Sequence, residues 1–287
     1  MGCSNSEKTT LLDCQLSDAQ PAGSGCPETP AATTTGPIVV LSGGGPLPWI
    51  IINAVIERFG PVTVLEETPE ATSLMFRRRL KKLGVVEVAG QLAFGVLQRI
   101  LRLASRRRLA EIIATYRLVP TPAANSTIID VGSVNADSCR RELVRLKPAV
   151  VLVIGTRIIG RETLVSVPAR FINYHAGINP KYRGMCGGYW AMANADPENF
   201  GVTSHLVDHG VDTGDILHWE TIAPDARDNF ATCPFLLAVA GRSAVLKSLG
   251  DALCGNAKPV RRAMASRQWY HPTLWGYLST GISRRVW

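Results

Sequence analysis

The sequence predicts an α/β fold built on a mostly parallel sheet, and the alternation of strands and helices after Pro37 is the main indication. Ile38-Val39-Val40-Leu41 is a short apolar run that ends in the turn Ser42-Gly43-Gly44-Gly45, and a helical pattern follows through Arg58. A second apolar run covers residues 62–65. This order is typical of a Rossmann-like sheet, because a right-handed crossover helix joins two parallel strands. The turn lacks the G-x-G-x-x-G spacing of a dinucleotide site, so the sequence does not predict a nicotinamide enzyme.

The elements that follow continue the alternation. A helical excursion is predicted over residues 70–118 and ends before Pro120 and Pro122, which cannot continue a helix. The apolar pattern then predicts a strand, a helix, a buried strand and a further strand, at 127–131, 137–146, 150–154 and 171–173. The principal domain is expected over 37–222, with a short C-terminal helical extension over 223–287.

Positive charge is concentrated in one segment of the chain. The 287 residues carry a formal net charge of +8, with 46% hydrophobic and 19% charged residues, as in ordinary globular proteins. Ten Lys or Arg and one acid, Glu87, lie between Arg77 and Arg108, so this segment alone contributes +9. Two interpretations stay open for it: a solvated helical face, or a surface for an acidic partner such as a phosphate-bearing substrate, nucleic acid or anionic membrane.

The first 36 residues are rich in Ser, Thr, Pro, Ala and Gly without apolar periodicity, which predicts a disordered tail. The tail begins with Met-Gly-Cys-Ser-Asn-Ser, a pattern for acylation of Gly2 with Cys3 available for a second lipid. Neither a secretory signal nor a membrane-spanning run is expected, since polar residues interrupt the best apolar stretch, 85–103. The seven cysteines form no C-x-x-C pair, which argues against zinc and a disulfide framework and favours the cytoplasm.

Three polar side chains are the candidates for chemistry. Asn173 and His175 lie two residues apart on a predicted strand, so they project to the same side at its carboxyl end. Asp212 lies in a glycine-bounded loop after the predicted strand 201–207. An amide donor, an imidazole and a carboxylate suit formyl transfer to an amine, which needs oxyanion stabilisation and proton movement. The carboxylate is expected to keep His175 protonated near neutral pH. Structural roles stay open for all three, since turn aspartates commonly stabilise their own backbone.

Four ordered motifs surround these residues. They are a Gly-x-Arg-Ile loop, an Asn-x-His pair followed by Pro, Tyr and Gly, a Gly-Val-Thr strand and an Asp-x-Gly loop, carried by Gly155, Arg157, Ile158, Asn173, His175, Pro180, Tyr182, Gly184, Gly201, Val202, Thr203, Asp212, Thr213 and Gly214. In this order and spacing they resemble the folate-dependent formyltransferase family, which includes glycinamide ribonucleotide, methionyl-tRNA and sugar N-formyltransferases. The resemblance extends over about 37–222 and implies a Rossmann-like formyltransferase fold with the catalytic domain in that range.

The resemblance also implies the site. The formyl donor would be 10-formyltetrahydrofolate, the catalytic residues Asn173, His175 and Asp212, and no metal would take part. The residues implied to bind the folate are Gly155, Thr156, Arg157, Ile158, Ile159, Val211, Asp212, Thr213 and Gly214. Two positions depart from the family pattern. Asn179 places a polar side chain in an otherwise apolar turn, and the glycine turn 43–45 lacks the Ser-Asn that follows it in the purine enzyme.

The predicted acceptor is a primary amine on a small molecule, and a nucleotide sugar or phosphorylated metabolite would suit the basic excursion. Methionyl-tRNA is the alternative acceptor, favoured by the positive charge and disfavoured by the short chain after Asp215. An alternative of another class is a non-catalytic binding protein on the same fold, attached to a membrane through Gly2, Cys3 and the helices of 77–108. Nucleic acid is not favoured as a partner, and membrane contact is expected only with an acylated N-terminus.

The remaining candidates are expected to be structural. These are one cysteine in a glycine-rich loop and four histidines without metal-ligand spacing, namely Cys186, His205, His209, His218 and His271. The aromatic cluster 269–275 is expected to pack a helical tail onto the core, with stacking on a base or sugar as the alternative.

Overall fold

The computed structural model describes residues 36–70, 72–124 and 126–287. Apart from Gly36, the predicted tail lies outside the described residues, and so do Gly2 and Cys3. The strands are β1 (Ile38–Ser42), β2 (Thr63–Glu66), β3 (Thr127–Asp130), β4 (Val150–Ile154), β5 (Arg170–His175), β6 (Arg183–Gly184), β7 (Gly201–Leu206), β8 (Ile216–Thr221) and β9 (Gln268–Trp269). The helices are α1 (Pro46–Phe59), α2 (Thr72–Leu83), α3 (Val85–Ala104), α4 (Arg106–Thr115), α5 (Asp137–Leu146), α6 (Arg161–Leu164), α7 (Gly187–Ala193), α8 (Cys233–Leu253) and α9 (Leu274–Arg284).

Seven of these strands form one sheet in the order β3-β2-β1-β4-β5-β7-β8. The first five in that order pair in parallel, while β7 runs antiparallel to both β5 and β8. All five residues of both β1 and β4 are buried, because helices cover both faces of the parallel part of the sheet. The α/β fold with a mostly parallel sheet is therefore confirmed, and α5 and β4 have the predicted bounds.

The two faces of the sheet carry separate apolar layers. On one face α1 and α8 pack against alternate strand residues, including Val40, Leu152 and Ile172. On the other face α5 packs against Val151, Val153 and their neighbours. Since successive strand residues point to opposite faces, Asn173 shares the face of the α5 layer, whereas Tyr174 points to the α8 side. The sheet thus fixes the direction in which the β5 side chains project.

Helix α8 belongs to the core although it lies in the predicted C-terminal extension. It is the one helix among the described residues that is long and apolar enough, by length and composition, to cross a membrane. The expectation that no run reaches that length is therefore wrong for this segment. Its residues Leu236, Leu237, Val245 and Leu249 are buried in the same layer as α1. Its buried side packs against α1 and the sheet, whereas Arg242, Lys247 and Asp251 lie on its less buried side.

The basic excursion consists of α2, α3 and α4, as the helical pattern predicted. Helix α3 packs on α9 through a small aromatic cluster, in which the Phe94 ring lies 4.8 Å from the rings of both Tyr277 and Phe230. Helix α4 is joined to the body by Arg108, whose Nε donates to Asp228 over 2.9 Å. The excursion is therefore anchored to the C-terminal part of the chain.

The cysteines differ in one respect from the sequence expectation. Cys139, Cys186 and Cys233 are free thiols, but Cys254 is disulfide-bonded. The argument from scattered cysteines against disulfides therefore fails at Cys254. The cytoplasmic assignment that drew on it stays a prediction.

Candidate functional site

The candidate site is built where β5 meets the antiparallel strand β7. In this register Asn173 lies opposite His205, and His175 lies opposite Thr203. The loop between β7 and β8 then returns across the same face of the sheet. Asp212 in this loop adopts a left-handed conformation with φ of 51°, which aspartate tolerates better than most residues. This backbone brings the Asp212 carboxylate over β5.

The structure brings Asn173, His175 and Asp212 together. Asn173 Nδ2 donates to Asp212 Oδ1 over 3.1 Å, and Asp212 Oδ2 lies 3.3 Å from His175 Nδ1. The backbone N–H of Gly184 also donates to Asp212 Oδ2, over 2.9 Å. The carboxylate therefore connects the Asn173 and His175 side chains to Gly184, the last glycine of the same motif. Their catalytic roles stay a prediction.

His205 also lies in this cluster and is only 3% exposed, and the expectation of a structural role for it stays a prediction. Its Nδ1 is 2.8 Å from the Leu206 carbonyl, which can only accept, so Nδ1 carries the proton. Its Nε2, 3.0 Å from Asn173 Nδ2, then accepts a hydrogen bond from that amide. This contact results from the cross-strand pairing of Asn173 with His205. The sequence alone does not indicate which residues pair across two strands.

The protonation state of His175 is the reverse of the sequence expectation. Burial lowers the pKa of His175 below its usual value, and this outweighs the Asp212 carboxylate, which raises it. The Nε2 atom is 2.7 Å from the Tyr182 carbonyl and therefore carries a proton. In the neutral ring, Nδ1 is then the unprotonated atom, and it faces Asp212. The imidazole is thus held with its basic nitrogen next to the carboxylate.

Asp212 is ionised at neutral pH. Burial by itself would raise the pKa of this carboxyl. The neighbouring His175 and His205 rings and the backbone N–H of Gly184 hold the pKa well below its usual range instead. A buried carboxylate that keeps its charge next to a neutral imidazole can stabilise that ring once it gains a proton.

The predicted pterin loop follows β4 and is held by an acid that the sequence did not single out. Glu67 accepts from the Arg157 backbone N–H over 2.7 Å and pairs with the Arg157 guanidinium over 2.7 Å. Gly155 has φ of 66°, which places the loop in a conformation that favours glycine. Ile159 is buried, whereas the Ile158 side chain is 62% exposed. Of these two isoleucines, only Ile158 presents its apolar side chain to solvent.

The second predicted folate loop is held together internally. Thr213 Oγ1 donates to the carboxylate of Asp208 over 2.6 Å, and the Val211 carbonyl accepts from Arg183 over 2.7 Å. A side chain at Gly214 would overlap the Leu206 carbonyl. The Thr213 hydroxyl and Gly214 therefore shape the loop that carries Asp212.

The turn after His175 contains the polar departure from the family pattern. Asn179 is only 2% exposed, and neither atom of its side-chain amide has a hydrogen-bond partner among the described residues. Its backbone N–H donates to Thr203 Oγ1 over 3.0 Å. Asn179 thus points into the protein, so its polarity does not reshape an exposed acceptor surface.

A cavity of about 180 Å³ is lined in part by Met185, the residue that follows Gly184 in the chain. Helix α2 contributes three cations and a leucine to its lining, and single residues or pairs come from α3, from the segment before α7 and from the C-terminal segment. The lining residues are Arg78, Arg79, Lys82, Leu83, Gln91, Met185, Tyr270 and His271. Arg78 pairs with Glu70, but no described acid pairs with Arg79 or Lys82. The Lys82 ammonium lies 5.3 Å from the Tyr270 ring centre. The cavity therefore combines unneutralised positive charge with an aromatic wall.

The structural roles expected for the other candidates stay predictions, and Cys186 and the aromatic cluster have the following surroundings. Burial raises the pKa of Cys186 to about 12, so its thiol stays protonated and is a poor nucleophile. In the aromatic cluster, Trp269 stacks on Trp190 with the ring centres 4.6 Å apart and so packs the C-terminal segment against α7. Within the part of the chain that the structure describes, no group of three His, Cys, Asp or Glu side chains is arranged to hold a metal ion.

The model of the formyl transferase family matches residues 117–233, which contain both predicted folate loops and all three candidate catalytic residues. This segment belongs to the formyltransferase family. The resemblance seen in the sequence motifs is therefore confirmed. The match begins at residue 117, so α2, α3 and α4 lie outside it.

Curated relatives match over a similar segment. A methionyl-tRNA formyltransferase of Pelotomaculum thermopropionicum is 36% identical over 108 residues, which cover 37% of this chain and 34% of that protein. The enzyme of the same name from Caldanaerobacter subterraneus is 36% identical over 123 residues, covering 42% of this chain and 40% of the relative. The chain thus spans little more than a third of the length of the curated relatives it matches.

Solved structures share the fold over most of the chain. A 4-N formyltransferase from Francisella tularensis has a TM-score of 0.51 and 15% identity, covering 85% of this chain and 78% of its own. An N-formyltransferase from Helicobacter canadensis, solved with folinic acid and dTDP-3-aminofucose, has a TM-score of 0.51 and 14% identity, covering 82% and 71%. The formyltransferase architecture is therefore shared at low sequence identity.

Proposed function

We propose that this chain transfers a formyl group from 10-formyltetrahydrofolate to a primary amine of a small-molecule acceptor. The convergence of Asn173, His175 and Asp212 within 3.3 Å, in a segment of the formyltransferase family, carries the proposal. Transfer of this kind requires removal of one proton from the attacking amine and stabilisation of a negative oxygen. The three side chains supply groups for both tasks.

His175 is the proton acceptor in this proposal. Its Nε2–H is fixed on the Tyr182 carbonyl, which leaves Nδ1 free of a proton and next to Asp212. As the amine nitrogen bonds to the formyl carbon, its proton passes to Nδ1, directly or through one water, and the Asp212 carboxylate stabilises the imidazolium that results. When the bond between that carbon and the folate nitrogen breaks, the imidazolium returns the proton to the departing nitrogen, which leaves neutral His175 and tetrahydrofolate. A neutral histidine is suited to this step because its basic atom is vacant before the attack.

Asn173 is the proposed hydrogen-bond donor to the oxyanion. Both hydrogens of its Nδ2 are engaged in the present structure, one with Asp212 and one with His205. Donation to a third oxygen therefore requires one of these bonds to be exchanged. The bond to His205 is the one we propose to be released, since hydrogen bonds to a charged carboxylate are the stronger.

The folate supplies an activated formyl carbon when bound. The exposed Ile158 side chain, on a loop fixed by Glu67, fits an apolar face of the pterin ring. The loop 211–214 bounds the other side in the proposal and carries Asp212. In open α/β sheets, ligands usually bind at the loops that leave the carboxyl ends of the strands. The loop after β4 is such a loop.

The proposed acceptor bears phosphate, as a nucleotide-linked amino sugar does. Support comes from the cavity that Met185 lines in part, in which Arg79 and Lys82 lack a described acidic partner and Tyr270 offers a ring for stacking. Arginine and lysine are the usual ligands of phosphate groups. The Helicobacter protein with the same fold binds a dTDP-linked amino sugar, which suits this choice.

Methionyl-tRNA is the second candidate acceptor, because the curated relatives are methionyl-tRNA formyltransferases.

Tetrahydrofolate release by the purified chain should be measured with nucleotide-linked amino sugars, phosphorylated amines and methionyl-tRNA. We expect turnover with a phosphate-bearing small amine, reduced about 100-fold or more in Asn173→Ala and retained in the distant control Asp251→Asn. No release with any acceptor would contradict the proposed activity. Turnover with tRNA alone, falling steeply with salt, would transfer the proposal to the second acceptor.

Failure of the phosphate assignment is separable from failure of the activity. Arg79→Gln combined with Lys82→Gln should raise the KM of a phosphate-bearing acceptor about tenfold while kcat changes little, because these cations bind and do not touch the reacting atoms. Lys247→Gln is the control, since Lys247 is a cation that lies elsewhere and pairs with Glu220. An unchanged KM with retained turnover would reject the cavity as the acceptor site.

A further inference from the structure

The outward face of α3 is apolar, although the opposite face of the helix is already buried. Phe94 on the inner side packs into the aromatic cluster with Tyr277. On the outer side, large apolar residues follow one another at spacings of seven, four, four and three along the helix and are each more than half exposed: Val85, Leu92, Val96, Ile100 and Leu103. Residues at these spacings lie on one face of a helix. The helix therefore has an uncovered apolar stripe along its length.

Helix α9 packs against α3 and carries exposed apolar residues of its own. The Trp275 side chain lies directly against Gly90 of α3, where a Cβ would overlap its ring. Trp275, Leu278 and Ile282 share one face of α9, and Ile282 is 77% exposed. With five aliphatic chains from α3, the exposed apolar area is on the order of 500 Å², near the upper end for the largest patch on a soluble monomer. Such a patch indicates an interaction surface.

Arginines border this surface. They are exposed and have no acidic partner among the described residues: Arg99, Arg102, Arg106, Arg107, Arg284 and Arg285. A two-fold contact between copies would bring these like charges together, because such an interface uses the same patch twice. Anionic lipid headgroups would neutralise them while the acyl region receives the aliphatic side chains. Tryptophan at the edge of the patch also suits a headgroup layer.

We propose that the α3–α9 surface, defined by Val85, Leu92, Val96, Ile100, Leu103, Trp275, Leu278 and Ile282, binds the surface of an anionic membrane. Apolar residues enter the interface and the bordering arginines contact the headgroups, as in amphipathic helices that lie in the plane of a bilayer. This binding is independent of Gly2 and Cys3. It goes beyond the proposed activity and stands or falls separately from it.

The test is flotation of the full chain with vesicles of phosphatidylcholine alone or containing phosphatidylglycerol. The Gly2→Ala chain is used, so that acylation makes no contribution. We expect binding only to the anionic vesicles, weakened about tenfold by Arg99→Gln with Arg102→Gln and by Ile100→Glu. Val165→Glu is the matched control, because Val165 is also exposed, at 70%, and lies on another part of the surface.

Correct folding is checked by thermal unfolding and tetrahydrofolate release, and Ile100→Ser is a milder second variant of the stripe. Equal binding by Ile100→Glu and the control, or no binding of the unaltered chain to anionic vesicles, would overturn the proposal. So would a dimer in sedimentation equilibrium that Ile100→Glu dissociates, since the face would then join two copies. Retained turnover in a variant that no longer floats would separate this surface from catalysis.

Discussion

Replacing Asp212 with Asn tests how far the carboxylate organises the site. Asp212 accepts from Asn173 Nδ2 on one oxygen and from the Gly184 N–H on the other. An asparagine has one acceptor oxygen, so its NH₂ must face one of those two donors. In either orientation a partly buried N–H loses its acceptor, at a cost of about 1–3 kcal/mol. Removal of a buried charge offsets part of that cost, so we expect a net loss of about 1 kcal/mol of stability.

The effect on rate should be larger than the effect on stability. Without the carboxylate, the imidazolium that forms on His175 has no counter-charge, and loss of assisted proton transfer typically reduces rates by about 10²–10⁴. Tetrahydrofolate release and urea unfolding should both be measured for Asp212→Asn, with Asp251→Asn as the control. A variant with kcat/KM within tenfold of the unaltered chain would refute the role assigned to this carboxylate.

The low pKa of Asp212 adds a signature on the acid side. A carboxyl whose folded pKa is depressed contributes stability that is present above its unfolded value, about 3.9, and is lost as the pH falls further. The unaltered chain should therefore lose stability below pH 4 more steeply than Asp212→Asn. Parallel acid denaturation curves would show that the carboxylate is not held by the contacts described.

Two further predictions concern the surroundings of the site. A Cβ at Gly177 would lie 2.6 Å from His175 Nε2, so Gly177→Ala should displace the ring and reduce kcat at least tenfold. Gly250→Ala is the control, because Gly250 has open space around it and its replacement should leave kcat unchanged. Equal kinetics for both variants would contradict the stated packing. Burial, together with Arg79, lowers the pKa of His271 from its usual 6.5 to about 4, so folding stability falls as the pH drops through that interval. At pH 5 this amounts to about 2 kcal/mol, and urea unfolding of His271→Gln at pH 7.5 and 5 should show a loss smaller by about that amount than in the unaltered chain. An identical loss in both would place His271 in a solvated environment.

The sheet could be predicted because its signals are local. Continuous apolar runs such as 150–154 read as buried parallel strands, and the pattern 137–146 reads as a helix with one apolar face. Ordered motifs gave the family. By contrast, the long helix α8 was not recognised as a core element, because an apolar segment without strong periodicity gives no indication of what surrounds it.

Within the site, the types of the functional residues could be predicted from the sequence, but the contacts between them could not. His205 joins Asn173 because of the antiparallel register of β5 and β7, and a shift of one residue would have turned it to the other face. Glu67, 90 residues before Arg157, fixes the predicted pterin loop through a buried pair of bonds. Neither partner lies near its contact in the chain, so spacing carried no signal for them.

The charge on His175 shows why depth of burial must be known before a mechanism is assigned. From the sequence, a carboxylate partner implied a protonated ring, since opposite charges favour the ionised form. The structure places the ring almost out of contact with solvent, 6% exposed, and ties one nitrogen to a backbone carbonyl. Desolvation then exceeds the attraction of a single carboxylate that itself accepts hydrogen bonds from the Gly184 N–H and the Asn173 amide. The pair consequently begins the reaction as neutral imidazole and carboxylate, which makes it a proton acceptor for the amine. A permanently charged imidazolium could donate to the oxyanion but could not take that proton, so the rate should rise with pH through the pKa of His175 and then level off.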